Sequence, residues 1–77
     1  MARILVTGAL GQIGSELVPA LRAQFGSESV VATDIRRPSA NGGLGAGPFE
    51  HLDCTSIRQV QEMVRRFDVG GIYHLAS

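Results

Sequence analysis

The chain has 77 residues, 44% of them apolar and 18% charged, which is the make-up of a globular protein of at most one small domain. Seven arginines balance seven Asp plus Glu, so no charge footprint points to nucleic acid or anionic lipid. The apolar runs are far too short to span a membrane, Met1-Ala2-Arg3 leads into no signal peptide, and the lone Cys54 forms no internal disulfide, so a cytoplasmic setting is expected.

Arg3 to Thr7 reads as a short strand buried on both faces, since Ile4, Leu5 and Val6 follow one another and Gly8 ends the run. Gln12 to Phe25 reads as a helix with an apolar stripe of Ile13, Leu17, Leu21 and Phe25, Val18 beside it, and Gly26 as its C-cap. Pro19 predicts a local bend in it. Ser29 to Ile35 is a second strand rich in β-branched residues. The segment 36–48, with its glycines and prolines, is a loop expected to be flexible. Phe49 to Asp53 is a brief third strand. Thr55 or Ser56 caps the next helix, with Ser56 and Gln59 spaced for a capping box, an apolar stripe of Ile57, Val60, Val64 and Phe67, and an outward Glu62–Arg66 pair. Gly71 to Leu75 is a fourth strand. This order predicts an α/β fold: a parallel, doubly wound sheet of about four strands in the order 3-2-1-4, carrying two main helices. A ferredoxin-like or other small α/β domain is the alternative.

The first turn carries the chemistry. Gly8, Gly11 and Gly14 are spaced three apart between a buried strand and a helix start, the arrangement that phosphate binding requires. Gly8 permits the tight turn, Gly11 lets backbone approach a pyrophosphate, and Gly14 lets the helix sit close to the strand. N–H groups at the helix start, with its positive dipole end, would face the phosphates. Asp34 follows Gly14 by twenty residues, at the end of the second strand. A carboxylate there accepts hydrogen bonds from adenosine ribose hydroxyls and repels a 2′-phosphate, which predicts NAD over NADP. Arg36 and Arg37 weigh the other way, because arginine binds a 2′-phosphate.

The stretched T-G-x-x-G-x-x-G form in "VTGALGQIGSELVPAL", with "LDCTS" and "IYHLAS", resembles the extended short-chain dehydrogenase/reductase superfamily, which includes sugar-nucleotide epimerases and dehydratases. Within it, "TGALGQIGSELVPALR" followed by "VVATDIR" is similar to the short-chain L-threonine 3-dehydrogenases, which oxidise the threonine β-hydroxyl with NAD to 2-amino-3-ketobutyrate. The resemblance implies a partial Rossmann fold in which 1–77 is the N-terminal part of an NAD-binding domain and the substrate side lies beyond Ser77. It implies that Gly8, Gly11, Gln12, Ile13 and Gly14 line the pyrophosphate, and that Asp34, Ile35 and Arg36 meet the adenosine ribose. Leu52 and Asp53 would flank the adenine, and Leu75, Ala76 and Ser77 would run along the cofactor toward the nicotinamide.

Catalysis in that superfamily uses a Tyr-x-x-x-Lys pair, in which lysine lowers the pKa of the tyrosine base. These 77 residues contain no lysine, and Tyr73 is followed four residues later by Ser77. No catalytic residue is therefore expected here, and no activity of the fragment alone. Cys54, His51 and His74 lack metal-ligand spacing, so no metal is expected. His74 in an apolar strand reads as a core histidine, Cys54 as a small strand-end residue. The fourth strand would be an open sheet edge, expected to pair with another copy or with a C-terminal part of a longer chain. An epimerase or dehydratase fragment, or a non-catalytic NAD- or AMP-binding module, are the alternative readings.

Overall fold

The computed structural model describes residues 2–37 and 46–75. The middle of the Gly/Ala-rich loop, 38–45, and the predicted cofactor neighbours Ala76 and Ser77 lie outside the described residues. Elements run β1 (Arg3–Thr7), α1 (Gln12–Phe25), a 3₁₀ turn (Ser27–Ser29), β2 (Val30–Asp34), β3 (Phe49–His51), α2 (Ile57–Arg66) and β4 (Val69–His74). All strands are parallel and ordered β3-β2-β1-β4. This is the four-stranded order expected of a partial doubly wound fold.

Side chains alternate across the two central strands, which builds a core on each face. Val6, Val30 and Ala32 meet Val18 and Leu21 of α1, with Ala9 completing the cluster. On the other face Leu5 and Val31 meet Leu52 and Met63 of α2. The two helices therefore cover opposite faces of the sheet, as double winding requires.

The helices are rotated from the stripes read off the sequence. In α1 the inward positions are Gly14, Val18, Leu21 and Arg22, while Ile13 is 66% and Phe25 49% exposed. A residue without a side chain sets this rotation, because the face carrying Gly14 approaches the turn most closely. In α2 Met63 is buried between partly buried Val60 and Phe67, whereas Ile57 is 74% exposed. The helix α1 continues through Pro19, and Gly26 caps it, its N–H donating to Arg22 O at 2.9 Å.

Several boundaries shift. Ser29 belongs to the 3₁₀ turn, β2 ends at Asp34, β3 ends at His51, and β4 starts at Val69 and ends at His74. Arg66 pairs with Glu50 of β3 at 3.4 Å instead of with Glu62, and its guanidinium lies 5.0 Å over the Phe67 ring. His74 is exposed on the edge strand and not in the core, and its Nδ1 lies 2.8 Å from the hydroxyl of Thr7. The buried arginine Arg22 has no counterpart in the sequence reading. Its guanidinium donates to the carbonyls of Val30 (3.1 Å) and Pro48 (2.5 Å), holding the return of the loop against β2.

Candidate functional site

The site lies where β1, β2 and β3 end at their carboxyl termini. β1 leaves the sheet through Gly8, whose φ of +70° is a left-handed backbone that glycine adopts freely. The turn is closed by Gly11 N–H donating to Gly8 O at 3.1 Å, and tied to β2 by Ala9 N–H donating to Thr33 O at 2.9 Å. Gly11 is the N-cap of α1 and supplies no side-chain bond to the first-turn N–H groups, and that turn holds no acidic residue. These N–H groups have no partner within a helix, so they and the positive dipole end form an anion-binding surface.

The three glycines serve different purposes. A Cβ on Gly14 would lie 2.6 Å from the carbonyl oxygens of both Gly8 and Ala9. Gly14 therefore lets the helix approach the turn itself, a closer partner than the strand named by the sequence reading. A Cβ on Gly11 would lie 3.3 Å from Gly8 O and 3.9 Å from Arg36 Nη2. That contact is tight, but less so than the one at Gly14.

Asp34 ends β2 and is only 4% exposed. Its Oδ2 accepts the Leu10 N–H of the glycine turn at 2.9 Å, and its Oδ1 accepts the Arg36 N–H at 2.9 Å. The Arg36 guanidinium adds Nε to Oδ1 at 3.2 Å and Nη2 to Oδ2 at 3.4 Å. Burial pushes this carboxyl up; the Arg36 side chain and the two N–H groups outweigh it and hold the group below the ordinary aspartate value. The same carboxylate thus joins β2 to the phosphate-type turn.

Asp53 follows β3 and starts the approach to α2. Its Oδ1 accepts the hydroxyl of Thr55 at 2.6 Å and the Thr55 N–H at 3.0 Å, and these two bonds hold its carboxyl below the ordinary value. Ser56 caps α2, its hydroxyl accepting Gln59 N–H at 3.3 Å. The other half of the expected capping box is redirected: Gln59 Oε1 accepts the N–H of Asp53, at 2.9 Å. This fixes the chain at Asp53 against the helix start.

Between these elements is a cavity of about 160 Å³ lined by Thr7, Gly8, Asp34, Ile35, Leu52, Asp53, Cys54 and Thr55. Its volume is below the roughly 300–1,000 Å³ of sites that take a whole drug-sized ligand, so it suits one ring system of a larger molecule. The fold thus brings Gly8, Asp34, Ile35, Leu52 and Asp53 around one cavity. Gly11, Gln12, Ile13 and Gly14 are not among its lining residues but follow Gly8 at the start of α1, and Arg36 bonds the lining residue Asp34. Leu75 stands apart, following β4, with its N–H donating to Thr7 O at 3.1 Å. Sequence reasoning missed Thr7, Cys54 and Thr55 as lining residues. Their signal was adjacency alone: Thr7 precedes the first glycine, and Cys54 and Thr55 follow Asp53. Among the described residues no cluster of His, Cys, Asp and Glu could hold a metal ion, and no helix is long and apolar enough to cross a membrane.

Comparison with known proteins agrees with the fold and identifies its family. Residues 4–77 match the NAD dependent epimerase/dehydratase family. An uncharacterized epimerase/dehydratase of Staphylococcus aureus strain USA300 is 47% identical over 77 residues, covering all of this chain and 24% of that protein. The crystal structure of L-threonine dehydrogenase from Clostridium difficile superposes with a TM-score of 0.91 at 44% identity, over 100% of this chain and 24% of that one. L-threonine 3-dehydrogenase from Trypanosoma brucei gives 0.90 at 44% identity, over 100% and 24%. The chain therefore spans about a quarter of the length of the proteins it matches.

Proposed function

The chain belongs to the NAD dependent epimerase/dehydratase family, and we propose on that premise that it holds the adenosine and pyrophosphate of NAD for an oxidoreductase similar to L-threonine 3-dehydrogenase. The observation that carries this reading is the uncapped start of α1 behind Gly8 and Gly11, set beside a cavity bordered by Asp34, Leu52 and Asp53. The residues fit the group: a glycine turn that a side chain would narrow, an anion-binding helix start, a carboxylate at the strand end and a cavity for one ring system.

In this reading the N–H groups of Gln12, Ile13 and Gly14 bind the pyrophosphate. Asp34 takes the ribose hydroxyls, with Ile35 and Arg36 beside it, and Leu52 and Asp53 border the adenine. Leu75, Ala76 and Ser77 continue toward the nicotinamide. NAD, when bound, supplies the hydride acceptor for oxidation of a secondary alcohol such as the β-hydroxyl of L-threonine. The general base for that hydroxyl lies outside these 77 residues, which contain no lysine to tune a tyrosine. The chain alone holds the cofactor and does not turn over substrate. The outer edge of β4, which pairs with β1 on its other side, is where further sheet of a longer polypeptide or of a second copy would add.

A second reading, a nucleoside-diphosphate-sugar epimerase or dehydratase, is favoured by the 47% identity to S. aureus relatives described as epimerase/dehydratase. The two part on net chemistry in a protein carrying the substrate side. Threonine oxidation accumulates NADH, whereas epimerisation returns the hydride and leaves none. A non-catalytic NAD- or AMP-binding module would bind nucleotide and do neither. Calorimetric titration of the folded chain with NAD, NADP and AMP tests the cofactor reading directly. Binding of NAD is expected, and a folded sample that binds none of the three refutes it.

A further inference from the structure

Resting on the nucleotide reading above, we infer that Gln59 is a positioning residue for the purine ring: its side chain fixes Asp53 so that one carboxylate oxygen stays open at the ring cavity and selects an amino-substituted purine over an oxo-substituted one. β3 ends at His51, so Asp53 has left the sheet. Its hydrogen bonds all run into the start of α2. Its N–H donates to Gln59 Oε1 at 2.9 Å and its carbonyl accepts the Ser56 N–H at 3.0 Å. Its Oδ1 accepts the hydroxyl and the N–H of Thr55 at 2.6 and 3.0 Å. Among the described residues no donor reaches Oδ2.

Two carboxylates border the cavity, and they differ in what they leave for a ligand. At Asp34 both oxygens already accept from Leu10 or Arg36, whereas Asp53 keeps Oδ2 unoccupied. The two Thr55 bonds hold the Asp53 carboxyl below the ordinary aspartate value, so it is ionised at neutral pH and only accepts. Beside a cavity sized for one ring, such an oxygen suits the exocyclic amino group of adenine, which donates. The carbonyl of hypoxanthine at the same ring position would set oxygen against oxygen and leave both without a partner.

Thr55 and Gln59 hold Asp53 in different ways. Thr55 lies two residues away and moves with it, so it sets the carboxylate only relative to its own backbone. Gln59 stands on α2 one turn before Met63, which is buried with Leu5, Val31 and Leu52. Gln59 therefore ties the Asp53 backbone to the core, and Thr55 ties the oxygen to that backbone. Without the first link the 53–55 turn is free to carry Oδ2 away from the ring. Gln59 is itself exposed, so its replacement opens no hole in the core. The α2 cap also survives, because Ser56 Oγ accepts the backbone N–H of residue 59.

Calorimetric titration of the wild-type chain, Gln59→Leu, Gln59→Glu and Thr55→Val with NAD and with its hypoxanthine analogue tests this, with circular dichroism confirming that each sample is folded. The two ligands differ only in an amino group against a carbonyl on the purine. Wild type is expected to prefer NAD on the order of tenfold. Gln59→Leu should lose about fivefold of that preference, through weaker NAD binding, while Gln59→Glu, which keeps an acceptor for the Asp53 N–H, retains it. A merely structural loss would weaken both ligands alike. A preference in Gln59→Leu within about twofold of wild type, or one reduced equally in Gln59→Glu, overturns the role of Gln59 and leaves the nucleotide site standing. If Gln59→Leu does not fold, an unchanged preference in Thr55→Val, which removes the hydroxyl from Oδ1, overturns it equally. Equal affinity of wild type for the two ligands overturns it too. A folded wild-type chain that binds neither overturns the underlying reading, and this inference with it.

Discussion

Adding a single methyl group at Gly14 probes the close approach on which the site is built. In Gly14→Ala the new Cβ would lie 2.6 Å from the carbonyl oxygens of Gly8 and Ala9 and 2.7 Å from the Ala9 carbonyl carbon. All three are backbone atoms of a turn held by hydrogen bonds to β2, so no flexible side chain absorbs the clash. Ordinary contact begins at 3.4 Å, so the first turn of α1 must retreat by about 0.8 Å. Overpacking of this kind costs typically about 1–3 kcal/mol, and removing a glycine from a helix returns up to about 1 kcal/mol. The net expectation is a loss of about 1–2 kcal/mol. In a chain this small, whose cores together supply no more than about 3–5 kcal/mol, that is a large share, worth about 4–8 °C in melting temperature for each kcal/mol. Urea and thermal unfolding followed by far-UV circular dichroism measure it. Gly11→Ala is the matched control: its Cβ meets Gly8 O at 3.3 Å and its φ is −74°, so stability should change by less than about 0.5 kcal/mol while NAD binding weakens. A Gly14→Ala chain as stable as wild type would refute the packing role given to Gly14.

Three further outcomes are expected. The Asp34 carboxyl is held below its ordinary value of 3.8, so its contribution to stability is fully present above that value and is lost as pH falls through the lower folded-state value. Asp34→Asn should therefore cost about 1.5–3 kcal/mol at neutral pH, with the gap to wild type closing only below about pH 4; a gap that stays constant down to pH 2 in urea titrations counts against this. Arg22→Met keeps an apolar stem but removes the donors to the Val30 and Pro48 carbonyls, and should destabilise by about 1–3 kcal/mol, with faster amide exchange at β3 than at β1. Asp68 has a φ of +52° just after α2, so Asp68→Gly should leave stability unchanged or raise it by up to about 1 kcal/mol; a clear loss would show that its side chain matters more than its backbone.

Local rules were enough to read much of this protein from its sequence. β-Branched runs ended by glycine or aspartate marked β1 and β2, and Gly26 and Ser56 marked helix ends. The spacing of Gly8, Gly11, Gly14 and Asp34 located the turn and its acidic partner. These are properties of neighbouring residues, and the alternation of strand and helix left few ways to assemble them. Helix rotation was different. Ile13, Phe25 and Ile57 fit an apolar stripe yet face outward, because which side of a helix turns inward depends on the partner surface. At α1 that partner is a pair of backbone carbonyls that only a residue without a side chain can approach. Polar side-chain pairing was likewise out of reach: Arg66 chose Glu50 over Glu62, the Gln59 side chain took the N–H of Asp53 instead of that of Ser56, and Arg22 crossed to Pro48. The sequence by itself determined the turn chemistry and the strand order. Only the tertiary structure decided that Asp34 is already saturated by Leu10 and Arg36, because the glycine turn at Leu10, 24 residues away in sequence, meets that carboxylate beside the chain leaving β2.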